Sequence, residues 1–297
     1  MSNDRLTGMI IKGIGGFYYV EAADAVYECK ARGVFRKRGM SPCAGDQVEI
    51  SLSADGTGAI EEIKPRKNQL IRPPVANLDQ LVIVASTCEP SPNPLVIDKM
   101  LALAVDKGIH PLLVISKADL GDSAELSSIY EKSGIDIVIF SIATGEGLDI
   151  IRSSLAGKIS AFTGNSGVGK SSLLNCIDPH FQLATGQISQ KLGRGRHTTR
   201  QVELFPLPEG GYVADTPGFS TVDIERYEQI EKDSLPYAFP EFIPFLDQCQ
   251  FTSCSHVCEK GCAVLAALER GEIHPSRHNS YVAMYQEVKD RKEWAKK

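Results

Sequence analysis

The stretch GNSGVGKSS, at residues 164–172, carries the clearest chemical signal in the chain. Residues 164–171 match G-x-x-x-x-G-K-[ST] in full, between an apolar run at 159–162 and the helix-like SLLNCI. Glycines let backbone N–H groups close around phosphates at a helix N-terminus, whose partial positive charge favours anions. We expect Lys170 to reach the β and γ phosphates and the Ser171 hydroxyl to bind Mg²⁺. The pattern predicts a nucleoside triphosphate site made of Gly164, Asn165, Ser166, Gly167, Val168, Gly169, Lys170, Ser171 and Ser172.

A second signal lies upstream, in PLLVISKADL at residues 111–120, and it concerns the base. The Asp119 carboxylate can accept two parallel hydrogen bonds, from N1–H and the exocyclic amine of guanine. Adenine has no donor at N1, so this geometry selects GTP. The aliphatic stem of Lys117 would cover the base face. A solvated Lys and Asp explain S-K-A-D equally well on its own, but beside a phosphate loop it indicates a guanine site at Ser116, Lys117, Ala118 and Asp119. Ser141, in FSIATGEGL, is either a further base contact or part of a helix N-terminal turn.

Two further segments follow the phosphate loop and complete the set. DTPG, at residues 215–218, places the Asp215 carboxylate to hold Mg²⁺ through water and the Gly218 amide near the γ-phosphate. In GRGRHTTR, either Thr198 or Thr199 can complete the Mg²⁺ shell, and we favour Thr199. The catalytic candidates are His197, Thr199, Asp215 and Gly218.

Phe219 follows DTPG, where many GTPases keep a glutamine that orients the attacking water. A phenyl ring has no hydrogen-bonding group, so we expect slow intrinsic hydrolysis. We hypothesise that His197 positions the water when a partner docks. The alternative is that His197 is an exposed RNA contact among Arg194, Arg196 and Arg200.

Four of the eight cysteines crowd into residues 249–262. Cys249, Cys254, His256 and Cys262 offer three thiolates and one imidazole, the tetrahedral set that zinc prefers in closed structural sites. Cys258 either replaces His256 as the fourth ligand or is a thiol that binds no metal. We expect His274 and His278 on the polar side of the helix region that follows.

Composition and pattern set the architecture that must position these residues. The chain has 297 residues, 42% of them hydrophobic, so it is long enough for two or three domains. Its net charge of −5 restricts any nucleic-acid surface to a local patch. The sequence contains neither an apolar run of membrane-spanning length nor a secretory signal pattern, so we expect a cytoplasmic protein.

Three patterns follow one another along the chain. Short apolar runs with glycine turns predict a small antiparallel β domain, most simply a barrel, up to about residue 70. NQLIRPPVANLDQ then has the composition of a linker, because Pro73 and Pro74 bar regular structure. From Leu81, strands alternate with helices, which indicates a doubly wound parallel sheet. After about residue 225, short proline-broken pieces precede the helices predicted in CAVLAALERG and NSYVAMYQEVKDRKEWAKK.

The base-reading elements precede the phosphate loop, which reverses the usual GTPase order, so the G domain is predicted to be circularly permuted. With GNSGVGKSSLLN, GRGRHTTR, DTPGFS and the cysteine-histidine cluster, the sequence resembles the ribosome small-subunit-dependent GTPase A family over nearly all its length. Ser116 departs from that pattern, since GTPases usually carry an Asn there that ties the base loop to the phosphate loop. We expect a serine hydroxyl to make this tie less well.

The resemblance implies a multidomain chain: an N-terminal OB-fold β-barrel at 1–70, a circularly permuted α/β P-loop GTPase at 71–224, and a mainly helical zinc-binding domain at 225–297. It implies GTP/GDP, Mg²⁺ and one structural Zn²⁺, with the four cluster residues as zinc ligands. It further implies a monomer that binds the small (30S) ribosomal subunit and its 16S rRNA, alongside other assembly factors and away from membranes. Hydrolysis of GTP, stimulated by the subunit, would then accompany late subunit maturation.

The sequence also allows other interpretations. Lys30, Arg32, Arg36, Lys37 and Arg38, with Phe35 among them and Phe17, Tyr18 and Tyr19 nearby, suit an RNA-binding barrel face. The same aromatics could instead fill the barrel core. For the whole chain, a P-loop ATPase or kinase is one alternative, against which Asp119 argues. An RNA-binding assembly factor that uses GTP only as a ligand switch is the other.

Overall fold

A computed structural model describes residues 5–37, 39–53, 56–181, 202–215 and 229–290. Its first part is a five-stranded barrel. The strands are β1 (Arg5–Ile14), β2 (Phe17–Ala22), β3 (Ala25–Ala31), β4 (Gln47–Leu52) and β5 (Gly58–Ile63). The barrel closes because β1 pairs with both β2 and β4. Its core consists of Ile10, Val20, Cys29, Phe35, Val48, Ile50 and Ile60. The predicted barrel is therefore confirmed.

One strand pair of the barrel differs from the antiparallel expectation. Strands β3 and β5 run parallel, with Cys29 opposite Gly58. The connection between them contains the short helix α1 (Gly33–Lys37) and β4, and is long enough to return the chain in the same direction. The side chain of Phe35, on α1, is 4% exposed and plugs the barrel core.

The segment interpreted as a linker is an ordered, packed hairpin. Strands β6 (Gln69–Leu70) and β7 (Val75–Ala76) pair with each other, and the side chains of Leu70, Val75 and Leu78 are fully buried. The Asn77 side chain donates to the Gly45 carbonyl in the barrel, 2.8 Å away. The two prolines occupy the hairpin turn, where their missing N–H groups cost no ladder hydrogen bond.

A doubly wound sheet follows, as predicted. Its strands are β8 (Gln80–Ser86), β9 (His110–Ser116), β10 (Asp136–Ile139), β11 (Ile159–Thr163), β12 (Glu203–Pro206) and β13 (Tyr212–Asp215), in the order β10-β9-β8-β11-β13-β12. All pairs are parallel except β12–β13. The helices are α2 (Pro94–Asp106), α3 (Ala124–Tyr130), α4 (Leu148–Leu155) and α5 (Lys170–Ile177). Every residue of β8 is buried, which is typical of a central parallel strand covered on both faces.

The barrel and the sheet are joined through one strand contact. Strand β1 pairs antiparallel with β12 at Lys12 and Glu203, whose side chains form an ion pair at 2.6 Å. The Tyr212 hydroxyl, on β13, also donates to the Glu21 carboxylate of the barrel. The eleven strands from both parts therefore form one continuous sheet.

The C-terminal part is mainly helical. Two 3-10 segments, Leu235–Ala238 and Pro240–Gln248, precede α6 (Ala263–Glu269) and α7 (Pro275–Val288). Phe239, Phe242, Val264 and Tyr281 lie at the centre of their own hydrophobic core, which also takes in Ala102 from α2. Among the described residues, no helix is both long and apolar enough to cross a membrane.

The packed hairpin makes a testable demand on Gly45. Its φ is +89°, and a Cβ there would lie 2.0 Å from the Ala76 carbonyl oxygen. We expect Gly45→Ala to lower the free energy of unfolding by about 3 kcal/mol, from left-handed strain plus a backbone clash. Gly15→Ala is the matched control, because Gly15 also has positive φ (+60°) but its Cβ would meet nothing within 4 Å. Urea unfolding followed by circular dichroism gives both values, and equal losses would contradict packing of the hairpin against the barrel.

Candidate functional site

The predicted nucleotide-binding residues meet at one edge of the parallel sheet. The loops in question follow β9, β10 and β11, three strands that run in the same direction. The carboxyl ends of parallel strands share an edge, and ligands of open α/β sheets bind outside that edge. Segments that are distant in sequence are thereby brought together.

The phosphate loop connects β11 to α5 with backbone angles that demand glycine. Gly164, Gly167 and Gly169 have φ values of +139°, +85° and +95°. A Cβ on Gly164 would lie 2.2 Å from the Val84 carbonyl oxygen, so β8 leaves room only for glycine. The loop contains these glycines, and α5 begins at Lys170 directly after it. The backbone N–H groups of the first turn of α5 are therefore continuous with those of the loop.

Lys170 is held across the phosphate loop. Its Nζ donates to the carbonyl oxygens of Gly164 and Asn165, each 2.7 Å away. Burial lowers the pKa of the Lys170 ammonium to about 8. A partly desolvated cation in this position attracts an anion more strongly than an exposed lysine would. In the first turn of α5, Ser171 is buried and Ser172 is half-buried, while Ser166 on the loop is exposed.

The base loop is bonded directly to the phosphate loop. The Ser116 hydroxyl lies 2.6 Å from the Val168 carbonyl oxygen and 3.1 Å from that of Ala85. A hydroxyl has a single hydrogen to donate, and the shorter distance favours Val168. Ser116 and Val168 are both buried. The Ser116 hydroxyl therefore links the base loop to the phosphate loop, and its weaker tie relative to an asparagine stays a prediction.

The rest of the base loop is fixed by its neighbours. Lys117 has a φ of +60°, its carbonyl accepts from Thr87 Oγ1 at 2.8 Å, and its ammonium donates to the Glu89 carbonyl. The Ala118 N–H donates to the Phe140 carbonyl oxygen at 3.2 Å. These bonds hold the backbone in a left-handed turn that directs the next residue outward.

Asp119 and Ser141 come together at the end of that turn. Ser141 is buried, and its hydroxyl donates to Asp119 Oδ1 at 2.7 Å, whereas the Asp119 residue is exposed. The Thr144 N–H also lies 3.3 Å from Ser141 Oγ, so the serine takes part in a turn as well. The Ser141 hydroxyl thus closes its own loop and orients the Asp119 carboxylate, and its contact with a base stays a prediction.

The catalytic candidates lie largely outside the described residues. His197, Thr199 and Gly218 fall in such stretches, together with the rival Thr198 and with Phe219. Asp215 ends β13, beside β11, so its backbone is at the same sheet edge as the phosphate loop. The structure gives no description of its side chain.

The C-terminal part brings four metal-binding groups together. The ligand atoms of Cys249, Cys254, His256 and Cys262 all lie within 4.8 Å of one another. His256 Nδ1 is 3.5 Å from both Cys249 Sγ and Cys262 Sγ, and those two sulfur atoms are 3.9 Å apart. A tetrahedral zinc site with bonds of about 2.3 Å has edges of roughly 3.8 Å, so the spacing fits such an ion. Cys258 is exposed and is not in this group.

The metal loop is organised by a carboxylate that the sequence did not single out. The Glu259 side chain accepts from the N–H groups of Ser255, Val257 and Cys258, at 2.7–3.1 Å. Burial alone would raise the pKa of Glu259, but the hydrogen bonds from Ser255 and the backbone lower it to about 2. The signal in the sequence that could have indicated this role is an acidic residue within a loop whose backbone N–H groups need acceptors.

Two histidines near the metal loop differ from expectation. We expected His274 and His278 on the polar side of the helix region. His274 instead caps α7, where its ring accepts from the Ser276 N–H at 3.2 Å. His278 is 6% exposed, and its Nε2 lies 2.8 Å from the His256 carbonyl oxygen. The prediction was wrong for His278, because the side of α7 that carries His278 packs on the metal loop and does not face solvent.

The barrel surface divides the aromatic residues between the two interpretations. Phe35 fills the core, whereas Phe17 is partly exposed and carries Lys30 Nζ over its ring at 5.0 Å. Arg32 is exposed and pairs with Glu61 at 2.6 Å. The side chains of Arg36, Lys37 and Arg38 lie outside the described residues. Phe17 and Lys30 therefore form an aromatic and cationic pair on the barrel surface, whereas the Arg32 charge is balanced by Glu61.

Comparison with known proteins agrees with this geometry. The family model described as RsgA GTPase matches residues 63–225, and the RsgA N-terminal domain model matches residues 7–60. A protein of Caldanaerobacter subterraneus subsp. tengcongensis, named small ribosomal subunit biogenesis GTPase RsgA, is 47% identical over 291 residues, with 97% of each chain covered. The protein of that name from Geobacillus thermodenitrificans is 46% identical, over 96% of this chain and 98% of its own.

Two solved structures extend the comparison to three dimensions. YjeQ from Thermotoga maritima superposes with a TM-score of 0.83 at 37% identity, covering 97% of this chain and all of its own. YloQ, described as a circularly permuted GTPase, gives a TM-score of 0.79 at 37% identity, covering 97% and 96%. The central domain is thus a circularly permuted GTPase domain.

The bond between the loops makes Ser116 important for nucleotide affinity. Ser116→Ala leaves the Val168 carbonyl without this donor and frees the base loop from the phosphate loop. We expect GTP to bind about tenfold more weakly, or ~1.4 kcal/mol. Titration with a fluorescent GTP analogue measures the change. Ser128→Ala is the control, because Ser128 is exposed and its hydroxyl donates within α3, to the Glu125 carbonyl oxygen. Equal affinities for the two variants would contradict the role of Ser116.

The cluster geometry distinguishes Cys254 from Cys258. We expect Cys254→Ser to lose most bound zinc, because hydroxyl oxygen is a much poorer zinc ligand than thiolate. Cys258→Ser is the matched control and should keep about one zinc ion per chain. Metal content is measured by mass spectrometry after purification without chelator. Loss of zinc from Cys258→Ser with retention in Cys254→Ser would reverse the assignment.

Proposed function

The chain belongs to the RsgA GTPase family, and on that premise we propose that it binds the small (30S) ribosomal subunit and assists its late maturation. It hydrolyses GTP to GDP and phosphate. Turnover is slow in the free protein and faster on the subunit, so that hydrolysis times release. The protein acts in the cytoplasm, where it contacts the 16S rRNA and functions together with other assembly factors.

The observation that carries this proposal is the union of a phosphate loop and a guanine-type base loop through Ser116 and Val168. Asp119 accepts the N1–H and exocyclic amine of guanine with a carboxylate that Ser141 orients. The stem of Lys117, tethered at Glu89, covers the base face. Backbone N–H groups of residues 164–172 surround the phosphates, and Lys170 neutralises charge between β and γ oxygens.

Groups of this chain position the attacking water molecule and stabilise the negative charge on the phosphates. The water oxygen attacks the γ-phosphorus, the bond to the bridging β–γ oxygen breaks, and GDP leaves with that electron pair, while the proton that the water loses passes to an oxygen of the released phosphate. Ser171, Thr199 and, through water, Asp215 would hold Mg²⁺, which neutralises charge on the phosphate oxygens. Ser171 suits this because it lies in the first turn behind the loop, and Asp215 ends the adjacent strand.

Slow intrinsic turnover follows from the residue after DTPG. Phe219 cannot orient a water molecule, so another group of this chain must move into place when the subunit docks. His197 is our candidate, and Gly218 supplies an amide to the γ-phosphate. His197 as an RNA contact among arginines is the competing role. A His197→Ala variant that keeps stimulated turnover but binds the subunit poorly would favour the RNA role.

The flanking parts provide the contacts with the subunit. We assign residues 1–70 to an OB-fold RNA-binding domain, 71–224 to the GTPase domain, and 225–297 to the zinc-binding domain. The exposed pair of Phe17 and Lys30 suits RNA phosphates and unstacked bases. Cys249, Cys254, His256 and Cys262 hold one structural zinc ion, with no position open for catalysis.

We expect small ribosomal subunits to raise GTP turnover by at least about tenfold, whereas large subunits leave it unchanged. Phosphate release by the purified protein is measured with each subunit in turn. Lys170→Ala should abolish turnover, because the phosphate loop loses its cation.

Lys158→Ala is the control for charge, since Lys158 sits at the opposite end of β11 and contacts Gln80. It should keep the stimulation. If the subunits did not stimulate turnover while GTP binding was retained, the alternative function would be favoured. The protein would then be an RNA-binding assembly factor for which GTP is only a ligand switch.

A further inference from the structure

A buried charge cluster joins the C-terminal part to the nucleotide-binding domain. Arg277, on α7, is 1% exposed, and its guanidinium donates to Asp98 Oδ1 on α2 at 2.6 Å. It also donates to both carboxylate oxygens of Glu241, at 2.6 and 3.1 Å. Phe239 covers the guanidinium, with the ring centroid 4.6 Å from Cζ. Three separate elements therefore meet at one planar cation.

The geometry of this cluster determines the position of α7 against α2 more than it adds to the free energy of unfolding. Asp98 and Glu241 are both buried, so the arginine faces two carboxylates in a site with little water. Replacing such a group with apolar side chains is often neutral for stability, whereas removing one partner leaves an uncompensated charge. A forked guanidinium meets its carboxylates in few orientations. The cluster therefore fixes how α7 lies against α2.

Helix α2 is a firm platform for this contact. Ile97, Leu101 and Ala104 on its sheet side belong to the core formed with β8 and β9. Its opposite side presents Ala102 to the C-terminal core, together with Asp98 for Arg277. The position of α2 is thus set by the sheet, and α7 is set by α2.

The same two turns of α7 hold the metal loop. His278 follows Arg277 directly and bonds the His256 carbonyl oxygen at 2.8 Å. One turn on, the Tyr281 hydroxyl donates to the Ser255 carbonyl oxygen at 2.8 Å. His256 has a φ of +59°, a conformation that a non-glycine residue keeps only with support. Its Nδ1 is the atom that faces the cysteine sulfur atoms.

We propose that Arg277 is a positioning residue through which α2, an element of the GTPase domain, sets the metal affinity of the Cys249–Cys254–His256–Cys262 cluster. Docking of α7 on Asp98 places His278 and Tyr281 where they hold the His256 loop in its ligating conformation. The metal module is consequently not autonomous. The proposal rests on the proposed function only in taking zinc as the ion.

The test compares zinc affinity across variants of the full chain, using competition with a chromophoric chelator. Arg277→Lys keeps the positive charge but loses the fork, and we expect zinc affinity to fall about tenfold, as for groups that orient metal ligands indirectly. Asp98→Ala, which touches α2 alone, should act in the same direction. Glu287→Gln is the matched control, because Glu287 pairs with Lys99 between the same two helices at 3.0 Å but is half exposed. It should leave zinc affinity unchanged.

Affinity for a fluorescent GTP analogue is measured on the same samples. The proposal requires it to stay within about twofold in Arg277→Lys, because the nucleotide loops do not depend on α7. Unchanged zinc affinity in Arg277→Lys and Asp98→Ala would overturn the proposal. Parallel loss of nucleotide affinity would overturn it too, because the effect would then be general unfolding. A wild-type chain that binds no zinc would instead show that the metal assignment itself is wrong.

Discussion

The hydrogen bond from the Ser116 hydroxyl to the Val168 carbonyl oxygen is the contact on which the nucleotide site depends. It joins the loop that reads the base to the loop that surrounds the phosphates. Both groups are buried, so the bond is made without competition from water. A single ligand can be gripped at both ends only if these two loops keep a fixed separation, and this bond sets it.

Chain order does not disturb the arrangement, because the sheet is assembled by strand pairing. Strand β8 lies between β9 and β11, although the phosphate loop comes about fifty residues after the base loop. Parallel strands present their carboxyl ends at one edge whatever their order along the chain. Permutation therefore leaves the site intact. The C-terminal part contacts helix α2, where Arg277 meets Asp98.

Local patterns made much of this predictable. The phosphate loop was evident because its glycines, lysine and flanking elements are contiguous, and the barrel because its strands are short and glycine-bounded. The metal cluster followed from thiolates crowded into one short stretch. In each case the residues that identify the feature also build it, so no knowledge of distant neighbours was needed.

Features that depend on partners distant in sequence were missed. The hairpin around Pro73 and Pro74 packs on the barrel through contacts such as that of Asn77 with Gly45, which no local pattern shows. His278 was assigned to a polar face because its buried partner, the His256 carbonyl, lies on another element. The parallel β3–β5 pair and the Arg277 cluster arise in the same way.

The most direct test of the account is the base specificity of an Asp119→Asn variant, measured by competition among GTP, ATP and xanthosine triphosphate. Xanthine carries a carbonyl oxygen where guanine has its amine, so an Asn amide would donate to it while its oxygen accepts from N1–H. The account predicts a switch of preference from GTP to xanthosine triphosphate, by at least about tenfold in each affinity. An unchanged preference for GTP would contradict the assignment of Asp119, because a residue other than Asp119 would then recognise the base.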